Sequence, residues 1–135
     1  MILVDTSVWI DHLRSADSTL IRHLSSGKLV MHSMVMGELA CGNLRDRAAT
    51  MNLLDAIPKI GELTNGDVIT RIEQEALAGR GIGFVDAHLL CAVKARQGAC
   101  LWTRDRGLKG IAEEFGVAYV ETASGAAAGE AGDGA

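Results

Sequence analysis

Four acids occupy positions that apolar sequence surrounds or leads up to: Asp5, Glu38, Asp86 and Asp105. Asp5 ends the run Ile2, Leu3, Val4, and Asp105 follows "ACLWT" after a single arginine. On a helix, Glu38 has Met34, Val35, Cys41 and Gly42 as neighbours three and four residues away, so it is expected to look inward. Asp86 heads a stripe formed with Leu89, Leu90 and Val93. Singly, each acid has an ordinary explanation as a helix cap, a partner of the helix dipole or a hydrogen-bonded core group. Gathered together they would repel one another by about 4 kcal/mol per pair at contact in an intermediate dielectric, so a positive group must hold them. An all-oxygen donor set suits a hard cation, Mg²⁺ or Mn²⁺, with the hydroxyls of Thr6, Ser7 and Thr103 orienting carboxylates or water. Mg²⁺ keeps several waters and meets phosphate oxygens readily, so the chemistry expected is hydrolysis of a phosphodiester by metal-activated water.

The acids converge only if the elements carrying them do. "ILV", "KLVMH", "ACLWT" and "VAYV" read as short strands buried on both faces, and "IGELT" as a strand or a bare connector. Between them lie helical patterns. "SVWIDHL" places Ile10 and Leu13 on one face, and "DSTLIRHLSSG" has Asp17 as cap, Leu20, Ile21 and Leu24 inward and Gly27 as stop. Ser33 is expected to cap "MVMGELACGN", and Asp46 a longer helix that ends at the single proline, Pro58. "NGDVITRIEQEALAG" aligns Val68 and Ile72, "FVDAHLLCAVKARQG" aligns Val85, Leu89 and Val93, and "RGLKGIAEEFG" turns Leu108, Ile111, Ala112 and Phe115 inward. Alternation of strands and helices with few hairpin signals implies an α/β fold: a parallel sheet of four to five strands with helices on both faces, a three-layer sandwich. In such sheets ligands bind beyond the carboxyl ends of the strands, where Asp5 and Asp105 lie.

At 135 residues the chain is expected to hold one domain, residues 1–122, followed by a Gly/Ala-rich tail, 123–135, with no apolar period and therefore expected to be disordered. The net charge of −4 includes Glu130 and Asp133 of that tail. The body thus carries −2, and setting aside the four candidate ligands leaves +2, so global charge does not exclude a nucleic-acid partner. No apolar stretch approaches the ~20 residues of a membrane span and no basic region precedes one, which points to a cytoplasmic protein. Cys41, Cys91 and Cys100 show no paired spacing and read as buried free thiols. His12, His23, His32 and His88 lack ligand spacing, and Trp9 and Trp102 are too few to make a base-stacking platform. "GRGIG" has no following Lys-Ser/Thr and is not a phosphate loop.

Taken in order, "LVDTSVWID", Ser33 to Leu39, "GFVDAHL" and "LWTRD" resemble the PIN-domain ribonucleases, and among them the toxin component of VapBC toxin–antitoxin pairs, over roughly Met1 to Val120. The resemblance implies that Asp5, Glu38, Asp86 and Asp105 are catalytic and bind Mg²⁺ or Mn²⁺, with Thr6, Ser7 and Thr103 in support. It further implies a homodimer, cleavage of structured RNA such as tRNA or ribosomal RNA, and inhibition by a VapB-type antitoxin whose C-terminal segment fills the active-site groove. Arg104, Arg106 and Lys109 flank Asp105 and are candidates for contact with RNA phosphates or an acidic antitoxin residue, against the alternative of solvated charges with Lys109 paired to Glu113. A housekeeping RNA-processing nuclease would use the same four acids, and small size without an appended RNA-binding module favours the toxin. A non-catalytic PIN-fold binding module would be expected to have lost an acid. A phosphate-accepting receiver domain has no use for Glu38 within a helix.

Overall fold

The computed structural model describes residues 1–121; the tail expected from 123 lies outside the described residues. Its elements run β1 (Ile2–Val4), α1 (Thr6–Arg14), α2 (Ser18–Ser25), β2 (Leu29–Val30), α3 (Ser33–Ala40), α4 (Arg47–Asp55), α5 (Asn65–Gln74), α6 (Phe84–Ala95), β3 (Cys100–Trp102) and α7 (Arg106–Glu114). The sheet is parallel in the order β2-β1-β3, with Ile2 opposite both Leu29 and Cys100, so the first strand of the chain is central and buried throughout. Its unbroken apolar run reflects burial on both faces.

Among the described residues three strands are formed where four to five were expected. The two further segments each make a single parallel bridge, Met31 to Lys59 and Leu101 to Ala118. Backbone bonds hold them: Met31 N–H donates to Pro58 O at 2.8 Å, Ile60 N–H to Met31 O at 2.9 Å, and Leu101 N–H to Val117 O at 2.7 Å. "IGELT" and "VAYV" therefore border the sheet without extending it, which keeps both edges short.

The crossover from β1 to β2 runs in the opposite direction to that from β2 to β3. Right-handed connections put α1 and α2 on one face and the later helices on the other. His23 of α2 bonds Tyr119 Oη at 2.9 Å, and Lys94 of α6 lies 4.1 Å from the Phe115 ring centroid, next to α7. Between the layers, Leu3, Val4, Leu89, Leu90, Leu101 and Trp102 are fully buried. The longest helix, α6, has a continuous buried run from Ala87 to Val93 because it packs on both the sheet and α5.

Local details depart from the sequence reading. On α2 only Leu20 and His23 are buried; Ile21 and Leu24 are exposed, because His23 takes the inner position through its bond to Tyr119. On α1 the buried pair is Val8 and Trp9, leaving Ile10 and Leu13 exposed. The cap of α3 is His32, whose Nδ1 accepts from Met34 N–H at 3.0 Å; Ser33 begins the helix and donates its N–H and hydroxyl to Glu62. Asp17 caps α2 through Leu20 N–H, and Gly27 ends its turn at φ +70°, as expected. All three cysteines are free, but Cys41 is exposed and Cys100 half-buried.

Candidate metal centre

Each acid is placed by an element end at the carboxyl edge of the sheet. Asp5 follows β1 and stands at the start of α1, yet its side chain caps nothing. Instead Oδ2 accepts from Ser7 Oγ at 2.8 Å and from Thr103 Oγ1 at 2.7 Å, the latter reaching across from the end of β3. Thr103 is buried and also accepts Asp105 N–H at 3.1 Å, so one hydroxyl links the two acids at the ends of adjacent strands. Asp105 Oδ1 caps α7 by accepting Leu108 N–H at 2.9 Å. Glu38, on α3 just beyond β2, accepts Thr6 Oγ1 at 2.6 Å on Oε1. It is exposed at the edge of the cleft, not turned into the core as its neighbours suggested, because α3 packs on α1 and α6 while this face stays open. Asp86, in the first turn of α6, accepts Gly83 N–H at 3.2 Å on Oδ2.

In every case one carboxylate oxygen is engaged and the other receives no hydrogen bond among the described residues. Asp5 is only 5% exposed, yet its free oxygen is not among the buried unpartnered atoms, so it faces the cleft. Asp86 senses the other three acids. Burial pushes the Asp86 carboxyl above its usual range, the Gly83 N–H opposes this, and Asp5, Asp105 and Glu38 each push it up further. Among the described residues no three histidines, cysteines or acids are gathered into a group that could hold a metal ion. By its chemistry the donor set nonetheless fits a hard divalent cation: four oxygens are free, all are carboxylate, three hydroxyls orient Asp5 and Glu38, and backbone N–H groups hold Asp86 and Asp105.

A family profile for the PIN domain matches residues 2–114. The chain is also 44% identical over 124 residues to Ribonuclease VapC32 of two Mycobacterium tuberculosis strains, CDC 1551 / Oshkosh and H37Rv, covering 92% of this chain and all of each relative. This chain belongs to the PIN-domain family, within its VapC-type branch. A solved structure described as FitAB bound to an IR36 DNA fragment superposes with a TM-score of 0.59 over 91% of this chain and 99% of that one, at 18% identity, and so speaks for the fold alone.

In this PIN domain the basic residues beside Asp105 divide. Arg106 and Lys109 are exposed and unpaired among the described residues, and the Lys109–Glu113 pair is not formed. Arg104 is half-buried and committed to Asp11, Asp17 and Glu121. Sequence reasoning did not mark Asp11 or Glu121; the one available signal was Asp17, read as a cap. His32 and His88, set aside in the sequence for lack of ligand spacing, are both buried, with ring centroids 5.6 Å apart. His32 caps α3 and His88 bonds Asn65 Oδ1 at 2.8 Å.

Proposed function

We propose that the protein is a Mg²⁺- or Mn²⁺-dependent endoribonuclease toxin that cleaves structured RNA, tRNA or ribosomal RNA, and is held in check by a VapB-type antitoxin. The observation that supports this reading is that Thr103 links Asp5 to Asp105, and that Asp5, Asp105 and Glu38 each act on Asp86, with one oxygen of each acid engaged and one free. Further support comes from the likeness to a protein named a ribonuclease over nearly the whole chain.

The four acids hold the cation through their free oxygens. When bound, a divalent cation lowers the pKa of a coordinated water and neutralises charge on phosphate oxygens. The chain's own work is positioning. Ser7 and Thr103 lock the Asp5 carboxylate, Thr6 locks Glu38, and Gly83 N–H locks Asp86, so the free oxygens are aimed before substrate arrives. Arg106 and Lys109, free beside Asp105, supply cations for the RNA backbone. A groove of about 500 Å³ beside Glu38, lined by Ile10, Leu13, Arg14, Leu39 and Leu44, is assigned to the antitoxin's C-terminal segment. The active form is a homodimer acting in the cytoplasm.

The test is incubation of total cellular RNA with the purified protein in EDTA, Mg²⁺ or Mn²⁺, beside Asp5→Asn prepared identically. Metal-dependent cuts at discrete sites by the wild type alone are expected. Equal cutting by both proteins, or none with either metal by a wild type that binds the cation, overturns the nuclease.

A further inference from the structure

We propose that Arg104 is a positioning residue for the carboxylate site: it clamps the end of β3 to α1, to the start of α2 and to Glu121, so that Thr103 and Asp105 face Asp5. This inference rests on the metal site proposed above. It reassigns the arginine from a surface cation that meets RNA to an internal brace.

The guanidinium is nearly saturated. Its Nη1 donates to Asp11 Oδ2 at 2.8 Å and its Nη2 to Asp17 Oδ2 at 3.0 Å. Nε and Nη2 grip Glu121 as a fork, at 3.0 Å to Oε2 and 2.6 Å to Oε1. The Cζ atom lies 5.8 Å from the centroid of the Trp102 ring, so the side chain also rests on the last residue of β3. A phosphate would have to displace one of three carboxylates that already surround this single cation, and the surplus negative charge of the group would oppose its approach.

The brace acts at the site through its own backbone and neighbours. Arg104 N–H donates to Ser7 Oγ at 3.1 Å, and Ser7 passes its hydroxyl hydrogen to Asp5 Oδ2. On one side Thr103 donates to the same oxygen; on the other Asp105 N–H donates to Thr103. Three consecutive residues thus end on one carboxylate, and the guanidinium in the middle decides where that segment lies. Without it, Asp11, Asp17 and Glu121 repel one another and the strand end loses three of its anchors. Groups that orient metal ligands without touching the metal typically change metal affinity by roughly 10–100-fold.

The experiment compares wild type, Arg104→Met and Arg104→Lys in Mn²⁺ binding by calorimetry, in kcat and KM on RNA, and in the salt dependence of KM. The expected result for Arg104→Met is Mn²⁺ binding weaker by about 10-fold and a lower kcat, with KM and its salt slope unchanged. Arg104→Lys should restore little, since an ammonium cannot form the fork. A raised KM with a salt slope smaller by about one, and unchanged Mn²⁺ affinity, would make Arg104 an RNA contact and overturn the proposal. Should Arg104→Met not fold, Glu121→Gln and Asp11→Asn decide: each should weaken Mn²⁺ binding by a few fold, and unchanged affinity in both contradicts the brace. Mn²⁺ binding by a wild type that cuts no RNA would overturn the nuclease while leaving the brace to be judged on affinity. A wild type that binds no Mn²⁺ would overturn both.

Discussion

At the scale of single residues, the four acids stand out in the sequence because carboxylates seldom lie next to unbroken apolar runs without a reason. Their exact surroundings were not. Glu38 was expected to be inward, since helical spacing reports which neighbours share a face but not whether another element covers that face. The ion pairs of Arg104 were not readable, because its partners lie 17, 87 and 93 residues away in sequence, beyond the reach of any local pattern. Two outcomes follow at this scale. Asp86→Asn should abolish cleavage, by about 100-fold or more, while the metal-free protein melts at the same or a higher temperature, because burial and the neighbouring acids disfavour the charge it removes. Thermal unfolding in EDTA checks the second half; a marked drop in Tm would mean that Asp86 is chiefly structural. Thr103→Val should cost about 1–3 kcal/mol in urea denaturation and weaken Mn²⁺ binding, since Asp5 loses a buried donor and Asp105 N–H its acceptor. Thr103→Ser, which keeps the hydroxyl, should restore most of both.

At the scale of elements, helix existence was readable from apolar spacing and caps, whereas facing was readable only where the apolar stripe was unambiguous. On α7 Leu108, Ile111 and Ala112 are buried as expected, with Phe115 half-buried beyond them. On α2 three apolar residues competed for two inner positions, and a histidine with a distant tyrosine partner won one of them. Leu20→Ala should therefore destabilise by about 2–5 kcal/mol, while Ile21→Ser and Leu24→Ser stay within about 0.5 kcal/mol of wild type by chemical denaturation. The Arg104 brace has its own pH signature. Burial pushes the Asp17 and Glu121 carboxyls up, but for Asp17 the bonds from Leu20 N–H and Arg104, and for Glu121 the bond from Arg104, outweigh it, and both sit below their ordinary values of 3.8 and 4.5. A carboxyl depressed in the folded state contributes stability above its unfolded pKa and loses it as pH falls through the folded one. Arg104→Met should thus be less stable than wild type by about 1–2 kcal/mol at neutral pH, the sum of three partly exposed pairs, with the gap closing below pH ~4. A gap constant from pH 7 to 3 would contradict this.

For the whole molecule, the parallel α/β architecture and the edge that carries the acids followed from the order of strands and helices alone. The strand count did not, because "IGELT" and "VAYV" have strand-like composition but the chain meets the sheet at one bridge beside each, at Lys59 just before the first and at Ala118 within the second. That difference leaves the site intact, since Asp5, Thr103 and Asp105 all sit at the ends of the two strands that are fully paired. Net charge decides little, because Glu130 and Asp133 of the tail and the four candidate acids together outweigh a small basic excess in the rest of the chain. The most direct test is therefore to titrate the metal-free protein with Mn²⁺ by calorimetry, beside Asp5→Asn under the same conditions. The predicted result is saturable binding to the wild type that disappears in the variant while its fold persists by circular dichroism. Binding that is absent from the wild type, or unchanged in Asp5→Asn, would contradict a metal site built on these four acids.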